Sequence, residues 1–309
     1  MYRKLDRSRQ LLLLATLVLG LATSCVFTQQ TFGWSNGGFS TDPNNPDYGT
    51  HDFIAHHALD YVPDDMDFWL RENLQAYLYG TELPDNRNAP LGDGIGDTML
   101  HHVYYFASDQ LQDDSSARRA QASYEQTLTY LASGDYRNAA KWMGVTSHYI
   151  VDPGVFGHVM GKSTDWGAEN HHSDYENWVN DNTNSYDASF KTCLVFDGKL
   201  AEIAAYQATL TLAHDTTFDD SGKGHTAKWM DSTYNPASPE FKGRTCESIA
   251  LSVNLVADVI YTAAKATNIP EFQGAVVPLI ITLTLLTVTL IKYSTPATSV
   301  SRPCRAHRS

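Results

Sequence analysis

The chain has 309 residues, with 35 Asp or Glu against 22 Lys or Arg and a formal net charge of -13 at pH 7. The first 33 residues carry four bases and one acid, and the stretch after Phe272 carries four more bases, so the part between holds 14 bases against 34 acids, a net -20. Such a surface repels phosphate backbones at long range and argues against a nucleic-acid partner.

In chain order, Arg3, Lys4, Arg7 and Arg9 precede a mainly apolar run over residues 11–23 that is short for a membrane span. Residues 1–33 therefore read as a secretory signal peptide with a pro-segment. Residues 34–49 are rich in Gly, Asn, Pro, Asp and Ser and predict an irregular loop. Thr50 caps a helix whose stripe is Ile54, Ala58, Leu59 and Val62 and which stops at Pro63. Asp64 and Asp65 open a second helix with Phe68, Leu70, Leu74, Tyr77 and Leu78 on its apolar side, closed by Gly80. Residues 86–97 are loop. Helices follow over 115–132, 136–151, 170–180, 200–212 and 246–264, and strand patterns are scarce. The fold class expected is all-α, one multi-helix domain over residues 34–267.

Beyond it, Ala275 begins an apolar run to Ile291, followed by Lys292, Arg302, Arg305 and Arg308, the layout of a short transmembrane helix with a basic flank. Residues 268–309 are accordingly assigned to targeting. Of four cysteines, Cys25 and Cys304 fall in these ends, which leaves Cys193 and Cys246 to pair in an oxidising compartment.

Eight side chains able to bind zinc lie along the domain: His51, Asp85, His102, His148, Asp152, His158, His172 and Glu176. The steps His148 to Asp152 and His172 to Glu176 are i,i+4, so each pair sits on one helix face and can offer two ligands to one metal. Imidazoles and carboxylates without paired cysteines suit hydrolytic zinc, because structural zinc usually takes thiolates. His56, His57, His101 and His171 stand beside the chosen residues and can replace or buttress them.

The series W-S at Trp34, G-T-H ending at His51, G-T-E-L-P-D ending at Asp85, H-H-V-Y from His101, S-H-Y-I-V-D-P from Ser147, G-H at His158 and H-H-S-D-Y-E-N from His171 resembles the zinc-dependent phospholipase C family, which includes the bacillus enzymes and the clostridial α-toxin catalytic domain. The resemblance implies the zinc-dependent phospholipase C and P1 nuclease type of fold and three zinc ions. The first would be held by His51 and by the amino nitrogen and carbonyl oxygen of Trp34 as the mature N-terminus. The second would take Asp85, His102 and His148, with Asp152 bridging these two. The third would take His158, His172 and Glu176. His102 is preferred over His101 because the family places an aromatic two positions after this ligand, matched by Tyr104. Asp85 is the candidate for orienting or deprotonating the attacking water.

The implied activity is cleavage of the glycerol-phosphate bond of a phospholipid at a membrane surface, by an exported, monomeric enzyme. Residues 268–272, N-I-P-E-F, resemble archaeal Pro-Glu-Phe sorting signals, which implies a sortase-like processing partner and either anchoring or release at the cell surface. Two alternatives remain open: an S1/P1-type zinc nuclease, whose ligand series ends in Asp where this chain has Glu176, and a non-catalytic zinc-binding surface protein. Asn86 stands where the bacillus enzymes place an aromatic that helps to bind choline, which puts choline preference in doubt.

Overall fold

A computed structural model describes residues 34–267. The signal peptide, the sorting motif and the apolar tail expected from the sequence lie outside the described residues. The fold is built around one helix, α5 (Tyr136–Val151), whose second half is buried on nearly every side. The side chain of Asp135 accepts from Asn138 N at its start, and at its other end Pro153 turns the chain into a 3-10 turn, Asp152–Gly154. Packed against it are α1 (Thr50–Ala58), α2 (Asp64–Arg71), α3 (Leu74–Glu82), α4 (Ser115–Ser133), α7 (Ala205–Phe218) and α9 (Pro239–Ala266). Two shorter helices, α6 (His172–Asp181) and α8 (Ala227–Ser232), complete the domain. The only strands among the described residues are an antiparallel pair, β1 (Tyr104–Tyr105) and β2 (Leu111–Asp113), with Tyr104 opposite Asp113. The all-α architecture is as expected.

Several details differ from the sequence reading. The single helix expected from Asp64 to Gly80 is two helices, broken at Glu72 and Asn73, and the second continues to Glu82. Gly80 does not end it. A Cβ on Gly80 would lie 2.0 Å from Lys141 O, and one on Gly144 would lie 2.0 Å from Tyr77 O. The two glycines let α3 and α5 touch backbone to backbone.

The helix expected from residue 200 begins only at Ala205, because the preceding segment is held extended along α9. Asn254, Asp258 and Thr262, one turn apart, accept from the amides of Asp197, Ala201 and Ile203 at 3.1, 2.7 and 2.9 Å. These side chains replace the helical partners of residues 197–203, a choice that local propensity does not register. The Cys193–Cys246 disulfide ties the start of this segment to the same helix. By length and composition α9 could cross a membrane, but 67% of its apolar window is buried inside the fold, and it serves as a core helix. It also starts earlier than expected, at Pro239, behind a Ser238 cap, and α8 was not expected at all.

The backbone contact between α3 and α5 yields a test. Gly144→Ala is expected to destabilise the protein by roughly 1–3 kcal/mol through overpacking, whereas Gly243→Ala, on α9 with nothing within 4 Å of its added carbon, should leave stability unchanged or raise it slightly. Urea unfolding of both variants measures this.

Candidate metal centre

α5 ends at the site and sets its centre. His148 and Asp152 share a face one turn apart, both fully buried. Thr81 O, at the end of α3, lies 2.7 Å from His148 Nδ1. That carbonyl can only accept, so the proton sits on Nδ1 and Nε2 presents its lone pair. Nε2 faces Asp152 Oδ2 at 3.0 Å and Asp85 Oδ1 at 3.8 Å. The Gly80 and Gly144 contact is what brings α3 this close.

His51, in the first turn of α1, stacks on the His148 ring at 4.0 Å and 10°. Its Nε2 approaches Asp152 Oδ1 at 3.1 Å. Burial, with help from His148, pushes its pKa down to about 4, so the ring is neutral and retains a lone pair for a metal. Asp52 anchors this turn, accepting from Gly49 N at 3.0 Å and from Thr81 Oγ1 at 3.0 Å. Residues 34–36 lie across its start: Ser35 O accepts from Thr50 N at 2.6 Å.

His101 rather than His102 completes the second cluster. His101 Nδ1 lies 2.9 Å from Asp152 Oδ2, 3.3 Å from Asp85 Oδ1 and 3.3 Å from His148 Nε2. Its Nε2 donates to Asp97 Oδ1 at 3.2 Å, and Asp97 is itself held by Tyr149 Oη at 2.6 Å and by Arg119. The carboxylate fixes the tautomer that turns Nδ1 toward the cluster. His102 points away: its ring stacks on Tyr104 at 4.4 Å, and its Nε2 faces Asp113 at 3.6 Å. The aromatic that seemed to mark His102 as a ligand instead shelves it outside the site. The chain passes from the 3-10 turn Thr98–Leu100 toward β1 at this doublet, so adjacent rings diverge.

The third cluster joins the 3-10 turn Phe156–His158 to α6. His172 Nε2 is 2.7 Å from Glu176 Oε1, His158 Nε2 is 3.8 Å from the same oxygen, and the two rings are perpendicular at 4.9 Å. His158 Nδ1 donates to His101 O at 2.7 Å, a link between this cluster and the second. Gly157 lies under the His172 ring, where a Cβ would come within 2.5 Å of it. The start of α6 is set by Asp231 of α8, which accepts from the amides of Asn170 and His171 at 2.7 and 3.0 Å. Burial opposes a charge on His172, but Glu169 and Glu176 outweigh it and lift the pKa to about 10. Asp152 is held well below the usual carboxylate range: burial opposes this, and the His148 and His101 rings prevail. Negative charge buried here is compensated by cations, whether protons or metals.

Trp34 is fully buried, its indole 5.2 Å from the Tyr175 ring of α6. The other histidines have different partners. His57 meets Asp60 at 2.6 Å and Tyr186 O at 2.8 Å, His56 packs on Tyr186, and His171 stacks on Tyr234.

Three groups thus gather ligand atoms within 4.8 Å of one another: His51, His148 and Asp152; Asp85, His101 and His148; His158, His172 and Glu176. Zinc with bonds of about 2 Å to N and O ligands places them about 3.3 Å apart, close to most of the separations above. His51 Nε2, Asp85 Oδ1, both oxygens of Asp152, His172 Nε2 and Glu176 Oε1 are buried without a hydrogen-bond partner. Orphaned donors of this chemistry fit zinc.

The family model described as zinc dependent phospholipase C matches residues 50–240. The chain belongs to that family. Solved structures similar to it include the alpha toxin of Clostridium absonum, at 15% identity and TM-score 0.45 over 74% of this chain and 66% of the toxin, and the alpha-toxin of Clostridium perfringens avian strain SWCP, at 15% and 0.43 over 77% and 67%. The chain therefore spans about two thirds of the toxins' length. No curated protein matches it. The family's metal is zinc, and the three clusters match three ions.

Sequence reasoning also missed two neighbours. Asn36 Nδ2 donates to Asp85 Oδ2 at 3.1 Å, and Asp97 orients His101. The i,i+4 spacing of Asp97 and His101 was the available signal. Metal content after dialysis tests the corrected set. His101→Ala is expected to lose zinc while His102→Ala keeps the full complement, and Asp97→Asn should weaken binding roughly 10- to 100-fold.

Proposed function

We propose that this protein is an exported phospholipase C that hydrolyses the glycerol-phosphate bond of a phospholipid, releasing diacylglycerol or its ether equivalent and a phosphorylated headgroup. The observation that carries this is a cleft of about 300 Å³ lined by both Asp85 and Glu176, so residues of the second and third clusters border one opening. Ser35, Asn36, Ser173 and Asn177 line it and supply hydrogen-bonding groups, and Phe39 supplies an apolar wall.

In this reading the mature chain begins at Trp34, whose amino nitrogen and carbonyl oxygen would join His51 and Asp152 in holding the first zinc. Asp85, His101, His148 and Asp152 would hold the second, and His158, His172 and Glu176 the third. Bound zinc supplies Lewis-acid stabilisation of charge on the phosphoryl oxygens. The protein's own part is positional. Asn36 grips one oxygen of Asp85, leaving the carboxylate at the cleft to orient an attacking water or take its proton. Water adds to phosphorus as its proton passes to Asp85, the bond from phosphorus to the glycerol oxygen breaks, and that oxygen takes up a proton to leave as the diglyceride alcohol. The Pro-Glu-Phe motif near the C-terminus directs a sortase-like enzyme to the tail, and the domain acts as a monomer held at, or released from, the cell surface.

The test is to offer the zinc-loaded protein, processed to Trp34, phospholipids with several headgroups alongside single-stranded DNA and RNA. Diacylglycerol or its ether analogue should appear together with phosphorylated headgroup. Asp85→Asn should lower kcat by on the order of 100-fold or more, and Asp152→Ala should abolish turnover. Nucleotide release without diglyceride contradicts the proposal and favours the nuclease, and full zinc with no turnover of either class favours a binding protein.

A further inference from the structure

Large apolar side chains exposed among the described residues are Phe39, Leu91, Met99, Leu100, Val195 and Phe196. Four of the six fall on two stretches that each hold residues of the catalytic cleft, 35–39 and 85–100. Phe39 lines it, and it also lines a second, more polar cavity of about 350 Å³ that shares Asp85 and includes Arg87 and Pro90. Leu91 follows Pro90 directly, and Met99 and Leu100 form the 3-10 turn that runs into His101. Leu91 is 63% exposed and Met99 79%.

The charges of the same stretch point to what covers these residues. Its two acids are drawn inward. Asp93 is held by Lys141 at 2.8 Å and by Tyr79 Oη at 3.0 Å, and Asp97 by His101, Tyr149 and Arg119. Arg87, in contrast, is exposed, and its guanidinium donates only to Gly96 O, with no ion pair among the described residues. On a strongly acidic protein, the segment that follows Asp85 and bonds back to Leu83 O and Pro84 O thus shows solvent apolar side chains and a cation, while its carboxylates are held by neighbouring groups. A bilayer interface asks for that combination, apolar groups to enter the acyl boundary and a basic group at phosphate level.

We infer that Leu91, Met99 and Leu100, with Arg87 beside them, dock the cleft onto the surface of a phospholipid bilayer. The inference rests on the phospholipase reading for its purpose, since docking here lets a lipid headgroup reach Asp85 without the lipid leaving the membrane. Val195 and Phe196 take no part. They belong to the segment pinned along α9, with Phe196 packed on Tyr61 at 4.8 Å.

Two measurements test it. Zinc-loaded Leu91→Gln/Met99→Gln protein is assayed on phosphatidylcholine and phosphatidylglycerol vesicles and on a short-chain phospholipid below its micelle concentration. The vesicle rate should fall at least about tenfold, the loss expected from two apolar side chains, while the rate on the monomeric lipid stays within about twofold. Val195→Gln should change neither. A double variant that keeps the vesicle rate, or loses both rates equally, overturns the proposal. Met99→Trp is then mixed with vesicles of brominated phosphatidylcholine, a readout independent of turnover. Quenching beyond that of the unmodified protein supports docking even where hydrolysis fails, and its absence overturns docking even where hydrolysis succeeds.

Discussion

Asp152 is the residue on which the site depends. Its two oxygens are buried, lack hydrogen bonds, and face three imidazoles from α1, α5 and the turn before β1. A carboxylate in that setting is tolerated only with compensating positive charge, because the desolvation cost of an isolated ion far exceeds what packing returns. Zinc held at the clusters around Asp152 would meet that need and explain why so many polar atoms converge without bonding to one another. The backbone contact of Gly80 with Gly144 makes the convergence possible, by delivering Thr81 O to His148 and Asp85 to the edge of the cluster. Fold and site are therefore one problem: a methyl group on α5 would disturb the metal centre without touching a ligand.

Much of this was legible in the sequence. Spacings of four residues on helices fixed the pairs His148 with Asp152 and His172 with Glu176, because helix geometry leaves little freedom once the helix is recognised. The doublet of His101 and His102 was different. Adjacent residues leave a turn in divergent directions, and only Asp97 and Tyr149 behind one ring, and Tyr104 beside the other, decide which turns inward. The late start of α7 was hidden for a similar reason, since the groups that hold residues 197–203 extended sit more than fifty positions away on α9. Local pattern identified the elements, and tertiary partners chose between near-equal local options. Gly80, read as a helix stop, shows the same limit: its role depends on Lys141 across the interface.

The loop over residues 35–48, irregular in sequence, is ordered by a few buried groups. Glu82 at the end of α3 accepts from Ser40 N at 2.8 Å and from its hydroxyl, and Ser40 Oγ accepts from Asp47 N at 2.6 Å. Burial raises the Glu82 pKa to about 7, against the pull of the Ser40 bonds. The strut sets Phe39 between the two cavities that meet at Asp85. The cleft wall, the candidate metal ligand Asp85 and the exposed apolar stretch thus hang on neighbouring parts of α3 and the segments at its ends.

The number and position of the bound metals decide most directly what the buried carboxylate of Asp152 serves. Anomalous diffraction at the zinc edge from crystals of the zinc-loaded protein should show three peaks, two on either side of Asp152 with His101 at one of them, and a third among His158, His172 and Glu176. Peaks absent from these clusters, or a zinc bound through His102, would contradict it.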